Sequence, residues 1–181
     1  MIMVGIAGGT AGGKSTFAKK LEKGLTDLHV CVIHMDSFFK AKDKRPYVPS
    51  HINGKYYTDD NSPDTIDWVA YHRAIDAAME EYDVVILEGL LVLWDEYTKE
   101  RLALRVFVDC DADERIVRRI RRNQHWGQSF EEICDVYLNM VRFRHDAYVE
   151  PTKWTADLIV NGAGNTDIAA EVCIQKIQSM T

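Results

Sequence analysis

A glycine-rich segment near the amino terminus constrains the fold of this chain more than any other feature. Residues 8–15 read Gly-Gly-Thr-Ala-Gly-Gly-Lys-Ser, a complete G-x-x-x-x-G-K-[ST] motif. An apolar run of strand length, Ile2–Ala7, precedes the motif, and an apolar pattern of helical period follows it from Lys14. Glycines let such a backbone curl, so that amide N–H groups and the positive end of the helix point at phosphate oxygens. The sequence therefore predicts a strand, a phosphate-binding loop and a helix in that order.

Each residue of the loop has an expected role in binding a nucleoside triphosphate. The nucleotide-binding residues are predicted to be Gly8, Gly9, Thr10, Ala11, Gly12, Gly13, Lys14, Ser15 and Thr16. Lys14 is expected to reach the β- and γ-phosphates, and the Ser15 hydroxyl is expected to bind Mg²⁺. The alternative is a glycine-rich turn that happens to precede a helix, but a chance match in a chain of this size is on the order of one in a hundred.

Apolar runs of strand length alternate with segments of helical period along the whole chain. The predicted strands are Ile2–Ala7, Val30–His34, 84–87, 104–108 and 158–160, and the predicted helices are 14–25, 66–82, 112–123, 129–148 and 167–180. Continuous apolar strands are typical of a parallel sheet that helices cover on both faces. The pattern predicts an α/β fold, a P-loop NTPase three-layer sandwich with a five-stranded parallel sheet and a small helical lid.

Length and charge narrow the function classes. At 181 residues the chain fits one domain over 1–181, and its net charge of −6 argues against a nucleic-acid partner or an anionic membrane surface. No apolar run reaches the roughly 18 residues that cross a bilayer, and no basic segment resembles the start of a signal peptide, so a cytoplasmic location is expected. Four scattered cysteines without a C-x-x-C pair predict neither a zinc site nor a disulfide framework.

Two carboxylates follow predicted strands at the edge of the sheet where ligands bind in open α/β folds. Glu88 follows the strand over 84–87, where P-loop proteins hold Mg²⁺ directly or through water; the alternative is a solvated strand end. Asp36 follows Val30–His34 and either caps a turn or lies beside the γ-phosphate. In the second position it is able to orient an acceptor hydroxyl and take its proton.

A long stretch without helical or strand periodicity follows Asp36. Residues 40–68 contain three of the four prolines, an Asn-Gly pair and three tyrosines. A long loop of this kind in a compact domain is usually functional or disordered, and it starts directly beyond a strand end. The sequence therefore predicts a substrate-binding loop over about residues 37–68.

Six short motifs occur in an order typical of one kinase family. They are Gly-Gly-Thr-Ala-Gly-Gly-Lys-Ser at 8–15, Asp-Ser-Phe-Phe at 36–39, Ser-Pro-Asp-Thr-Ile-Asp at 62–67, Leu-Glu-Gly-Leu-Leu at 87–91, Phe-Val-Asp-Cys-Asp-Ala-Asp at 107–113 and Pro-Thr-Lys-Trp-Thr-Ala-Asp at 151–157. The likeness covers most of the chain, and six motifs in register are specific where one alone is not. The chain resembles the uridine kinase and phosphoribulokinase family of P-loop kinases, which also contains the nicotinamide riboside kinases.

The resemblance implies a nucleoside kinase that uses ATP or GTP together with Mg²⁺. Its expected reaction transfers the γ-phosphoryl group to the 5′-hydroxyl of a ribonucleoside, with uridine or cytidine as the first choice. In this mapping Asp36 is the general base, Lys14 is a catalytic cation, and Ser15, Asp36 and Glu88 hold the metal ion. The expected partner is a small-molecule nucleoside, and because such kinases are often oligomers, a homo-oligomer stays open.

The resemblance also gives a role to a cluster of arginines. The cluster consists of Arg115, Arg118, Arg119, Arg121 and Arg122. In such kinases this helix carries a lid, here about residues 119–130, and the resemblance implies that Arg119 and Arg122 contact the phosphates. The other three arginines are expected on a solvated face at least as much as at the ligand, because five positions in two helical turns cannot all face one site.

The acceptor side of the chain departs from the family. Uridine kinases carry a base-reading hairpin between the helix over 66–82 and the strand over 84–87, and this chain has no residues for one. Their lids tend to have Arg-Gly-Arg where this chain has Trp-Gly-Gln at 126–128. The base of the acceptor is therefore not predicted.

Several residues remain candidates to bind the acceptor. Asn61 stands where the family has its ribose-binding acid, with Asp60 and Asp64 nearby. A carboxylate can accept hydrogen bonds from two adjacent hydroxyls, although helix capping is the alternative for Asp64. Phe39 is expected either to line the nucleoside pocket or to anchor the loop to the core, and Tyr57 is a candidate to contact the base.

Two other functions compete with a uridine kinase. A nicotinamide riboside kinase would share the same chemistry, and a non-catalytic nucleotide-binding sensor would share only the phosphate-binding loop. A GTPase switch would need N-K-x-D and D-x-x-G motifs, which the sequence lacks. The presence of both Lys14 and Asp36 favours an active enzyme over a sensor.

Overall fold

Five of the seven strands form one parallel sheet. In the computed structural model, which describes residues 1–181, the strands are β1 (Ile2–Ala7), β2 (Val30–His34), β3 (Tyr47–Pro49), β4 (Tyr56–Thr58), β5 (Val84–Glu88), β6 (Leu104–Asp109) and β7 (Leu158–Asn161). The large sheet has the order β2-β5-β1-β6-β7, and every neighbouring pair in it is parallel. β3 and β4 form a separate antiparallel hairpin. The central strands β1 and β5 are buried along their whole length, as their apolar sequences predict.

Helices cover both faces of this sheet. They are α1 (Lys14–Gly24), α2 (Trp68–Glu81), α3 (Glu96–Lys99), α4 (Ala112–His125), α5 (Phe130–Val136), α6 (Arg142–Arg144) and α7 (Asp167–Gln178). A π-helical turn joins α5 to α6, a second follows α6, and a 3₁₀ helix, Glu150–Thr155, continues to β7. None of these helices is long and apolar enough to cross a membrane.

Alternate residues of the sheet supply two separate hydrophobic cores. Val4 and Ile6 of β1 face one core together with α1 and α7, whereas Met3 and Ala7 face the other with α2. This division follows from the pleat of a strand, which points successive side chains to opposite faces. The two cores confirm the predicted three-layer α/β sandwich.

The predicted elements agree with the structure to within two residues, but the short helix α3 was not predicted and two further segments differ. All five predicted strands of the sheet are present. The predicted helix over 129–148 is interrupted by π-helical turns over Tyr137–Val141 and His145–Val149. Residues 40–68 are not one loop, because the β3–β4 hairpin forms within them.

The order of the strands brings the functional segments together. The phosphate-binding loop follows β1, Asp36 follows β2, Glu88 ends β5, and α4 begins soon after β6. The carboxyl ends of parallel strands lie along one edge of a sheet, so these segments meet there although they are far apart in sequence.

Replacing Leu21 tests the core between β1, α1 and α7. Leu21 has no solvent exposure and packs in the core that contains Val4 and Cys173. We expect Leu21→Ala to lower the free energy of unfolding by about 2–5 kcal/mol, because it leaves a cavity. Urea unfolding at pH 7 measures the change. Lys19→Ala, at an exposed position of the same helix, should change the stability by less than about 0.5 kcal/mol; equal losses would contradict this packing.

Candidate active site

A cavity of about 890 Å³ opens at the carboxyl edge of the sheet. Its walls come from the phosphate-binding loop, the ends of β2 and β5, α4 with the turn after it, α5, and residues 58–61. A cavity of this size matches the usual range for small-molecule sites. Positively and negatively charged side chains line it. This lining suits a ligand that carries phosphates at one end and hydroxyls at the other.

The phosphate-binding loop enters α1 without a side-chain cap. Gly13, at the N-cap of α1, has φ of 103°. No side chain caps the helix, so its first amide N–H groups have no side-chain partner. Free amides at a helix start are the groups that bind phosphate. The cavity lining includes Thr10, Ala11, Gly13, Lys14, Ser15 and Thr16, whereas Gly8, Gly9 and Gly12 are not part of it.

The backbone of the phosphate-binding loop holds the Lys14 side chain. Its Nζ donates a hydrogen bond to the Gly9 carbonyl at 2.9 Å. Burial lowers the pKa of Lys14, while the charges of Glu88 and Asp36 act in the opposite direction. An ammonium group with little access to water interacts more strongly with an anion than an exposed one does.

Ser15, Glu88 and His34 meet at the end of β5. The Ser15 hydroxyl donates to Glu88 Oε1 at 3.0 Å, and His34 Nδ1 lies 2.6 Å from the same oxygen. The chain contains no group of three or more His, Cys, Asp or Glu side chains placed to hold a metal ion. Mg²⁺ usually binds through one or two carboxylates together with waters and phosphates, so a hydroxyl and a carboxylate in contact fit this ion.

Asp36 lies beside this pair, in the 3₁₀ turn Met35–Phe38 that follows β2. Its side chain lines the cavity and is exposed to it. Desolvation by the surrounding protein raises the pKa of Asp36 above its ordinary range, and Glu88 adds to the increase while Lys14 opposes it. A carboxylate with a raised pKa is a better proton acceptor at neutral pH than one with an ordinary pKa.

Arg119 and Arg122 approach the phosphate-binding loop from α4. Arg119 Nη1 donates to Thr10 Oγ1 at 3.0 Å, and Arg122 Nη2 lies 3.4 Å from the same oxygen. The Arg122 guanidinium also lies over the Trp126 ring, 4.9 Å from its centroid. The Asn123 side chain accepts from Arg122 Nε at 3.1 Å, which fixes the direction of the guanidinium. The structure therefore places both predicted lid arginines at the loop.

The remaining arginines of the cluster do not share one environment. Arg121 is exposed, as expected, and Arg118 bonds the Gly162 carbonyl at 2.8 Å at the edge of the cavity. For Arg115 a solvated position is wrong, because its side chain is 4% exposed and its Nε donates to the Cys110 carbonyl at 2.9 Å. A β-carbon at position 9 would lie 2.5 Å from Arg115 Nη1, so a side chain there would displace the Arg115 guanidinium.

The acceptor candidates divide into two groups. Phe39, Asp60 and Asn61 line the cavity. Asp64 is exposed and does not line it, since its 3₁₀ turn directs it to solvent. Tyr57 does not line it either, because its hydroxyl donates to Asp135 at 2.8 Å.

Sequence reasoning missed most of the wall opposite the sheet. The additional lining residues are Thr58, Leu90, Asn123, Gln128, Glu132, Ile133 and Val136. The sequence signal for α5 was its capping box, in which Ser129 and Glu132 exchange hydrogen bonds. A capping box marks where a helix starts but does not indicate which cavity the helix faces.

Comparisons with known proteins find relatives over nearly the whole chain. The sequence profile described as "Phosphoribulokinase / Uridine kinase family" matches residues 68–169. The chain is 31% identical to a uridine kinase of Clostridium perfringens, covering 99% of this chain and 96% of the relative. It is 29% identical to a uridine kinase of Bacillus subtilis, covering 99% and 94%. A solved shikimate kinase from Bacteroides thetaiotaomicron has a similar fold, with a TM-score of 0.57 at 17% identity over 99% and 97% of the two chains.

His145 is a buried imidazole that the cavity does not use. It lies in the second π-helical turn, with 11% of its side chain exposed and Nε2 3.2 Å from Glu150 Oε2. Its Nδ1 has no hydrogen-bond partner. Burial, with Arg115 and Lys14 adding to it and nearby aspartates opposing it, lowers the pKa of His145 to about 4. The imidazole is therefore neutral at pH 7.

The pH dependence of stability tests this position. Below its ordinary pKa of 6.5, the unfolded chain binds a proton that folded His145 rejects, so folding loses stability as the pH falls. The depressed pKa predicts a loss of about 2 kcal/mol between pH 7 and pH 5 from this residue. We expect His145→Gln to lose less stability than the wild type over this interval by that amount, as measured by urea unfolding at both pH values.

An exposed histidine supplies the control. His125, at the end of α4, is exposed, so His125→Gln should keep the pH dependence of the wild type. The assignment would be contradicted if His145→Gln kept it as well.

Proposed function

This chain belongs to the phosphoribulokinase and uridine kinase family, and from that premise we propose that it phosphorylates the 5′-hydroxyl of a ribonucleoside. Membership makes the chain a P-loop phosphotransferase that acts on a hydroxyl acceptor. The proposed donor is ATP or GTP together with Mg²⁺. The proposed acceptor is uridine or cytidine; the names of the curated relatives support uridine.

One observation carries the proposal. A single cavity contains the phosphate-binding loop, Asp36, the two lid arginines Arg119 and Arg122, and the polar pair Asp60 and Asn61. Groups that bind phosphate and groups that bind hydroxyls thus face the same space. The Asp36 carboxylate, in the turn after β2, faces it as well. A kinase needs this arrangement, because catalysis of phosphoryl transfer consists mainly of positioning and charge stabilisation.

Each side chain has a proposed task in the transfer. Asp36 takes the proton of the acceptor hydroxyl while that oxygen forms its bond to phosphorus and the bond to the nucleoside diphosphate breaks. Lys14, Arg119 and Arg122 offset the negative charge on the phosphoryl oxygens. Ser15 and Glu88, with Asp36 beside them, would hold Mg²⁺, which neutralises charge on the phosphates when bound. Asp60 and Asn61 bind the hydroxyls of the acceptor sugar.

The proposal divides the single domain, 1–181, into three working parts. The core with the phosphate-binding loop binds the donor. Residues of about 119–130, which comprise the last turns of α4 and the turn before α5, act as the lid. Residues of about 37–68, including the hairpin, form the acceptor side. Closure of a lid over such a cavity excludes the water that would otherwise hydrolyse the donor.

A coupled phosphotransfer assay tests the function directly. The panel contains uridine, cytidine, adenosine, nicotinamide riboside and pantothenate, each with ATP and with GTP in the presence of Mg²⁺. We expect turnover with uridine or cytidine. Turnover with nicotinamide riboside alone would show that this nucleoside, and not uridine or cytidine, is the acceptor. Nucleotide binding without turnover of any acceptor would favour a sensor over a kinase.

Asp36→Asn tests the proton acceptor. The amide keeps the shape of the side chain but cannot take a proton, so we expect kcat to fall by roughly 10²-fold or more while the affinity for ATP stays nearly unchanged. Steady-state kinetics with the best acceptor separates the two effects. Asp27→Asn, at an exposed position before β2, is the matched control. A change in KM without a change in kcat would make Asp36 a binding residue only.

A further inference from the structure

Arg45 lies at the start of the β3–β4 hairpin and is held on three sides. Its Nε donates to the Lys40 carbonyl at 2.7 Å, and its Nη1 donates to Asp60 Oδ1 at 2.8 Å. Its guanidinium carbon lies 5.2 Å from the centroid of the Phe39 ring. Only 16% of the side chain is exposed. A planar guanidinium that is fixed in this way has little freedom to move.

Two of the three partners of Arg45 line the cavity, but Arg45 itself does not. Asp60 and Phe39 are both cavity residues. The Asp60 side chain is 51% exposed, and an ionised carboxylate has about four acceptor positions. Arg45 occupies a position on Oδ1, which leaves the second oxygen for a ligand. The contact thus orients Asp60 without blocking it.

The charge of Asp60 reaches the phosphate side of the cavity. Burial lowers the pKa of Arg119, the neighbouring Arg122 lowers it further, and Asp60 raises it. Asp60 therefore lies within electrostatic range of an arginine that contacts the phosphate-binding loop. Its effect on Arg119 is smaller than the effects of burial and of Arg122.

Two further contacts hold the foot of the hairpin, residues 45–46 and 59–60, next to the Arg45–Asp60 pair. The Asp59 amide donates to the Pro46 carbonyl at 2.8 Å, so the two chains are joined next to the pair. The Asp59 side chain is 1% exposed and pairs with Arg144 at 2.5 Å. These contacts hold the backbone that carries Asp60, and the hydrogen bond from Arg45 then favours one orientation of the Asp60 carboxylate.

We propose that Arg45 is a positioning residue for the acceptor, which it serves by holding Asp60 and Phe39 in the orientation that binds the ribose. The proposal rests on the proposed function, because it assigns Asp60 to the acceptor hydroxyls. Arg45 contributes nothing to the chemical step. Its loss therefore weakens acceptor binding and leaves kcat at saturating acceptor and the KM for ATP unchanged.

A double-mutant cycle tests whether Arg45 acts through Asp60. The variants are Arg45→Met, Asp60→Asn and the combination, and the readouts are KM and kcat for the best nucleoside and KM for ATP. We expect each single variant to raise the acceptor KM by roughly tenfold, the effect of losing one charge-assisted hydrogen bond. The double variant should be no worse than Asp60→Asn within about twofold, because coupled residues are not additive. Additive effects would overturn the proposal, as would an equal increase in the KM for ATP.

Two further variants separate positioning from folding. Arg45→Lys keeps the charge but loses the planar contact with Phe39, so its acceptor KM should lie between those of the wild type and Arg45→Met. Arg73→Met, at an exposed position of α2, should change neither KM nor thermal stability. The proposal would be overturned if Arg45→Lys and Arg45→Met both folded and both kept the acceptor KM of the wild type.

Calorimetric binding of the nucleoside, without any turnover, distinguishes this inference from the proposed function. Wild-type binding without phosphorylation would contradict the proposed function alone, and the Arg45 variants would still be expected to bind more weakly. Equal affinities in the wild type and Arg45→Met would contradict the role of Arg45 alone. If the wild type bound no nucleoside, both would fail.

Discussion

The buried guanidinium of Arg115 determines how the phosphate-binding loop and the lid helix lie against each other. It donates to the Cys110 carbonyl just after β6 and packs against Gly9, where a side chain would displace it. Because residues three or four apart share one face of a helix, the same face of α4 that buries Arg115 then presents Arg119 and Arg122 to Thr10. This internal contact thus fixes how the helix lies against the loop, and with it the positions of Arg119 and Arg122.

The sequence was most informative where burial was complete. The strands of the sheet are continuous apolar runs, so both their existence and their boundaries could be predicted, and the glycine motif located the loop. The buried position of Arg115 could not be predicted. The sequence of an arginine cluster does not indicate that a backbone carbonyl will accept a hydrogen bond from one of its members. The hairpin was missed for a related reason. Its strands are three residues each and contribute nothing to either core, so they lack the apolar alternation that marks a strand.

The acceptor side shows the same limit for individual residues. Asp59, Asp60 and Asp64 have the same chemistry, and their neighbours in sequence do not distinguish them. The structure gives Asp59 to Arg144, leaves Asp64 in solvent and turns Asp60 into the cavity. What separates them is the pairing across the foot of the hairpin, which depends on residues many positions away. Sequence reasoning therefore found the acidic segment but could not choose the acid within it.

The attachment of the hairpin has a consequence for how this fold can diversify. Beyond its foot, residues 47–58 are joined to the helical stretch by the Ser50–Asn139 and Tyr57–Asp135 hydrogen bonds, and they contribute no residue to the two cores. Such a segment can change length and composition without disturbing the sheet, since loops tolerate substitution where the scaffold does not. Under the proposed function, the acceptor side can therefore vary in length and composition while the sheet that carries the phosphate-binding loop stays unchanged.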